Sequence, residues 1–85
     1  GRPPIYVWEE DLHKLEVPTL ILCGDEDEPC VDPSVFLKRN IKRSGLVMFP
    51  QSGHAINLEE PAGFNHAILD FLTAVDAGKW AEKPA

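Results

Sequence analysis

The chain has 85 residues, a formal net charge of −6, and an apolar content of 44%. That is room for one small domain, too apolar for a disordered segment and too acidic for a nucleic-acid surface. The run Leu20-Ile21-Leu22-Cys23 falls far short of the ~20 residues that span a bilayer, and no signal-peptide core follows Gly1-Arg2-Pro3-Pro4.

Residues 1–4 read as a flexible lead. In residues 5–15, Trp8, Leu12 and Leu15 recur at i, i+4 and i+7, which predicts a short amphipathic helix with His13 on its solvated side. Residues 17–23 predict a strand, since proline is tolerated at a strand's first residues. With no polar alternation, that strand reads as buried on both faces, the habit of parallel sheets. Gly24 then opens a polar turn.

Asp32-Pro33 predicts a helix start, with Asp32 as N-cap and Pro33 at the first helical position. Val35, Phe36 and Ile41 would form its apolar stripe, and Ser44-Gly45 would stop it. The basic residues in 38–43 suit the C-terminal end of that helix, where cations meet the dipole favourably. Residues 46–49 predict a second apolar strand. A loop follows, Pro50-Gln51-Ser52-Gly53, in which Gly53 is expected to allow an unusual backbone conformation just before His54. Glu59-Glu60-Pro61 predicts the last helix. Phe64, Ile68, Phe71, Leu72 and Val75 give it an apolar face at i, i+4, i+7, i+8 and i+11, ending between residues 76 and 78. Residues 79–85 read as a flexible tail.

The order strand, helix, strand, helix predicts an α/β chain: a βαβα fragment with two parallel strands joined by a right-handed crossover. Two strands that are apolar on both faces need further strands at their edges and further cover on their faces. Residues 1–85 are therefore expected to form a single partial domain. It should be completed either by a missing N-terminal segment or by a second copy in a homo-oligomer.

Functional groups on open parallel sheets gather at the carboxyl ends of the strands. Asp27 follows the first strand and His54 the second, so a carboxylate and an imidazole are expected at one sheet edge. Such a carboxylate fixes the tautomer of the histidine and steadies its protonated form. The plainer alternative is two solvated loop residues. Composition alone leaves open which acid among residues 25–28 is the partner. The same acids do not fit a Ca²⁺-binding loop, because Pro29 and Cys30 fall at ligand and turn positions, and no metal site is expected. Cys30 with His54 is an alternative nucleophile pair, but nothing nearby is cationic enough to activate the thiol. Cys23, ending an apolar strand, reads as a small buried hydrophobe. Two cysteines do not make a disulfide scaffold, and a reduced, cytoplasmic protein is expected. Ser34, Ser44 and Ser52 are the only serines, and none is flanked by the glycines of a Gly-x-Ser-x-Gly elbow.

The ordered set of Val17-Pro18-Thr19-Leu20-Ile21-Leu22-Cys23-Gly24-Asp25-Glu26-Asp27, then Ser52-Gly53-His54, then Glu59-Glu60-Pro61 running to Phe71-Leu72, resembles the C-terminal third of the α/β-hydrolase family. The resemblance covers residues 12–75. In that family a Gly-x-x-Asp turn carries the triad acid, which selects Asp27. A Gly-His pair carries the triad base, which selects His54. The family's serine elbow, oxyanion loop and lid have no counterpart here.

What the resemblance implies is a serine-dependent hydrolase of ester-like or related bonds. It would act on a small-molecule substrate and use no cofactor; charge and hydropathy, separately, lead us to expect no nucleic-acid or membrane partner. His54 would be general base then acid, Asp27 its orienter, and the chain alone would be inactive. Val31, apolar among polar neighbours, is a candidate pocket residue, with a plain helix-start contact as the blander alternative. The rival from another class is a standalone βαβα binding or dimerisation module without catalysis.

Overall fold

A computed structural model describes residues 5–80. A 3-10 turn at Ile5–Trp8 runs into the short helix α1 (Glu9–His13). Then follow strand β1 (Thr19–Gly24), helix α2 (Glu28–Asn40), strand β2 (Ser44–Phe49), the single turn α3 (Ile56–Glu59) and helix α4 (Pro61–Asp76). The two strands pair in parallel, from Thr19 opposite Ser44 to Gly24 opposite Phe49. The expected α/β class and parallel strand pair are therefore present. No helix of the described residues is long and apolar enough to cross a membrane.

Several boundaries differ from the sequence reading, each for a local reason. The first helix ends at His13, so Leu15 lies beyond it and the stripe through Trp8, Leu12 and Leu15 is not continuous. His13 is exposed and hydrogen-bonded to Asn40 Oδ1 at 2.6 Å. Helix α2 starts at Glu28, not at Asp32-Pro33, and Asp27 takes the N-cap position. Pro29 in the first turn costs nothing because its N–H would have no partner there. Pro33 is left inside the helix, where it removes one backbone hydrogen bond.

Helix α2 ends at Asn40, and Ile41 is already extended. Ser44 is the first residue of β2 rather than a helix stop. Its single hydroxyl proton lies within reach of the carbonyls of Ile41 at 2.7 Å and Lys38 at 2.9 Å, sharing itself between groups that the helix end leaves open. Lys38 and Arg39 lie in the last turn, as the dipole argument expects. The last helix runs from Pro61 to Asp76, as its periodicity predicts.

The buried apolar side chains are Ile21, Cys23, Ile41, Phe49 and Ile56. Helix α2 packs against both strands. On the other side, Leu20 and Val47 face Ala67, Phe71 and Ala74 of α4 across an open cleft of about 440 Å³. Trp80 stands edge-on to Phe71 with ring centroids 4.9 Å apart and lines the same cleft. Of the expected tail, Lys79 and Trp80 are thus in place, while residues 81–85 and the lead 1–4 lie outside the described residues. Leu69 and Leu72 of α4 are exposed, as is Met48 of β2. Leu72, counted in the apolar face by its spacing, therefore points away from the cover it was expected to give.

Candidate active site

The loops after β1 and β2 are laced together by backbone. Asp25 N–H donates to Phe49 O at 2.9 Å, and Glu26 N–H donates to Ser52 O at 2.9 Å. Ser52 is 0% exposed, and its hydroxyl donates to Pro50 O at 3.1 Å. Gly24 makes this close approach possible. A Cβ there would overlap the carbonyl oxygens of both Ser52 and Gly53. The glycine that ends β1 is thus the floor over which the His54 loop passes.

The unusual backbone of that loop is not where the sequence reading put it. Gln51, with φ of 52°, has the left-handed conformation, and Gly53 does not. Gly53 instead gives its N–H to the Glu59 carboxylate at 2.6 Å. Helix α3, too short to show any periodicity, positions Glu59 for that bond and buries Ile56 beneath it.

The result is one acid–base pair. His54 Nδ1 lies 2.9 Å from Asp27 Oδ2. The Asp27 side chain is only 14% exposed and that of His54 is 88% exposed. With Nδ1–H donating to the carboxylate, Nε2 carries the free lone pair. Asp27 sits at the N-cap of α2 but makes no side-chain capping bond; its carboxylate is engaged by the imidazole instead. That hydrogen bond, with a second from the Cys30 thiol, holds the Asp27 carboxyl below its ordinary value of 3.8, against the opposing effect of burial. Asp25 turns its carboxylate to the Ser52 N–H at 3.4 Å, so it is not the acid that reaches the histidine.

Cys30 lies near both groups, and its thiol pKa is raised, first by the hydrogen bond to Asp27 and then by burial. A raised pKa opposes the nucleophile role weighed for it. Cys23 and Cys30 are both free thiols. Val31 is half-buried within α2 rather than in a polar loop, and it is not among the residues lining the cleft beside α4. Ser52 and Glu59 were missed as supports of the site. Neither leaves a sequence signal, because each acts through a backbone group brought close only by folding.

No family model matches the chain. It is 39% identical to a proline iminopeptidase of Saccharolobus solfataricus over 78% of this chain and 21% of that protein. It is 44% identical to the AB hydrolase superfamily protein YisY of Bacillus subtilis over 74% of this chain and 25% of that protein. Among solved structures, MenH from S. aureus matches with a TM-score of 0.74 and 33% identity, over 78% of this chain and 25% of that one. Over about three quarters of its length the chain is similar to members of the α/β-hydrolase family. It spans about a quarter of the length of these relatives.

Proposed function

We propose that this chain supplies the general base and its orienting acid to a serine hydrolase whose nucleophile lies in another segment. The observation that supports this most is the 2.9 Å bond between His54 Nδ1 and Asp27 Oδ2, with the rest of the imidazole open to solvent. In this reading Nε2 of His54 takes the proton of the attacking serine and later returns it to the leaving group. Asp27 holds Nδ1–H and stabilises the imidazolium between the two steps. The scissile bond is an ester or a related acyl bond. Fold alone leaves the acyl and leaving groups open. Val31 would line the substrate pocket.

The partner surface follows from the same reading. The strand pair has no third strand among the described residues, and α4 leaves a cleft over Leu20 and Val47. We assign that surface to the rest of the hydrolase sheet. A copy of the chain would take its place when the chain is alone. A cytoplasmic location accords with two free thiols.

The test uses a protein that carries both this chain and the nucleophile-bearing segment. Labelling by a fluorophosphonate and turnover of a nitrophenyl ester should both be present, and both should collapse in His54→Ala. The 85-residue chain by itself should show no acyl-enzyme burst, since it lacks the serine and the oxyanion donors, the latter alone worth ~10²–10³ in rate. A stoichiometric burst from the isolated chain would overturn the reading.

A further inference from the structure

We propose that Asp27, Cys30 and His54 form a binding site for one thiophilic divalent cation, Zn²⁺ by its ligand chemistry, and that the bound ion switches the acid–base pair off. The inhibitory consequence rests on the catalytic reading above; the binding claim does not.

One carboxylate oxygen, one sulfur and one imidazole nitrogen lie within 4.8 Å of one another. Three protein ligands of this mixed kind, with a fourth position open to water, are a recurrent zinc arrangement. Thiolate and imidazole select Zn²⁺ or Co²⁺ over Ca²⁺ and Mg²⁺, which prefer oxygen alone. This set differs from the acidic run weighed against a Ca²⁺ loop, because it joins two loops that are far apart in sequence.

The geometry is near what the ion needs. Ligands 2.0–2.3 Å from a tetrahedral ion stand roughly 3.3–3.6 Å from each other. The pair of Nδ1 and Oδ2, at 2.9 Å, has only to open slightly. The exposed imidazole can swing to do so, since no other side chain among the described residues is hydrogen-bonded to it. Two of the ligands are held by one helix start. Asp27 is the N-cap of α2, and Cys30 N–H donates to Asp27 O at 2.9 Å. The third is carried by the loop that Gly24 and Ser52 fix in place. The helix N-terminus disfavours a cation, but Asp25, Glu26 and Glu28, exposed next to Asp27 in the chain, add the opposite charge to the same segment.

Coordination has a definite proton balance. The Cys30 thiol releases its proton to solvent and binds as thiolate. His54 can bind through Nδ1 only as the tautomer protonated at Nε2. The atom that would accept the serine proton is then already occupied, and the Nδ1–H bond to Asp27 is gone. One ion therefore removes both halves of the base function.

The experiment titrates the 85-residue chain with Co²⁺, read by absorption, and with Zn²⁺, read by calorimetry. One equivalent should bind, with a near-ultraviolet thiolate-to-cobalt band that Zn²⁺ bleaches. The band should vanish in Cys30→Ser and persist in Cys23→Ser. Affinity should fall at least about tenfold in His54→Ala and in Asp27→Asn. The band should also vanish in denaturing guanidinium chloride, which separates a folded site from a loose thiol. Absence of the band in the parent chain, its survival in Cys30→Ser, or its survival in denaturant would overturn the site. In the protein carrying the nucleophile, Zn²⁺ should inhibit ester turnover, and Cys30→Ser should lower that sensitivity at least about tenfold. Equal sensitivity in both would overturn the switch while the site stands. Metal binding by a protein with no serine-dependent turnover would refute the catalytic reading instead.

Discussion

The corner that holds Asp27 and His54 and the face that carries α4 are built in opposite ways. At the corner, short-range bonds close on themselves. Gly24 admits the crossing loop, Ser52 is wholly buried, and Gly53 is tied to Glu59. On the α4 face, an open cleft separates the helix from Leu20 and Val47, and Leu69 and Leu72 face solvent. The described residues thus carry a closed acid–base pair beside an open cleft. The pair needs only two strand ends and their loops. The α4 face, among the described residues, leaves apolar surface open, and open apolar surface favours a partner.

The largest effect expected from breaking the corner is on turnover. In the protein that also carries the nucleophile, Asp27→Asn should lower kcat by ~10⁴, because the wrong histidine tautomer is then favoured. His54→Ala should cost at least as much. Steady-state ester hydrolysis measures both, and a loss below about tenfold would remove the pair from the mechanism.

The open α4 face should show itself in association. At micromolar concentration, light scattering of the isolated chain should give a mass well above 9.5 kDa. Leu69→Glu with Leu72→Glu should bring it back toward the monomer. A compact monomer with cooperative unfolding would show that 85 residues suffice, and would favour a standalone module.

Gly24→Ala should strain the corner while leaving α4 alone. Its methyl meets backbone carbonyls that cannot rotate away, and overpacking of this kind costs roughly 1–3 kcal/mol. A lower urea midpoint, with the largest amide shifts at residues 51–54, is the expected readout. A smaller step is Glu59→Gln, which weakens the bond to the Gly53 N–H at an exposed position; a single hydrogen bond of this kind is worth about 1 kcal/mol.

Acid should act on the corner in the same direction. The Asp27 carboxyl is held low in the fold. Its contribution is therefore complete above the ordinary carboxylate value and is lost as pH falls through the lowered one. Asp27→Asn should flatten that acid limb of the unfolding curve.

Much of this was legible in the residues. The strand pair, the closing helix from Pro61, and the placement of Asp27 and His54 after the two strands all follow from apolar runs and turn residues. The start of α2 did not, since Pro29 and Pro33 each fit a first turn and local sequence does not choose between them. Helix α3 is a single turn and has no period to read. The left-handed Gln51 and the buried Ser52 are set by the crossing over Gly24, a contact between loops that local sequence does not encode.

The central claim is that the pair is complete within this chain, and the state of one imidazole proton tests it directly. In ¹⁵N-labelled chain above neutral pH, long-range ¹H–¹⁵N spectra should show His54 held as the Nδ1–H tautomer, and Asp27→Asn should shift it toward the mixture of a free imidazole. A His54 that already has the free-imidazole tautomer mixture in the parent chain, unchanged by Asp27→Asn, would contradict it.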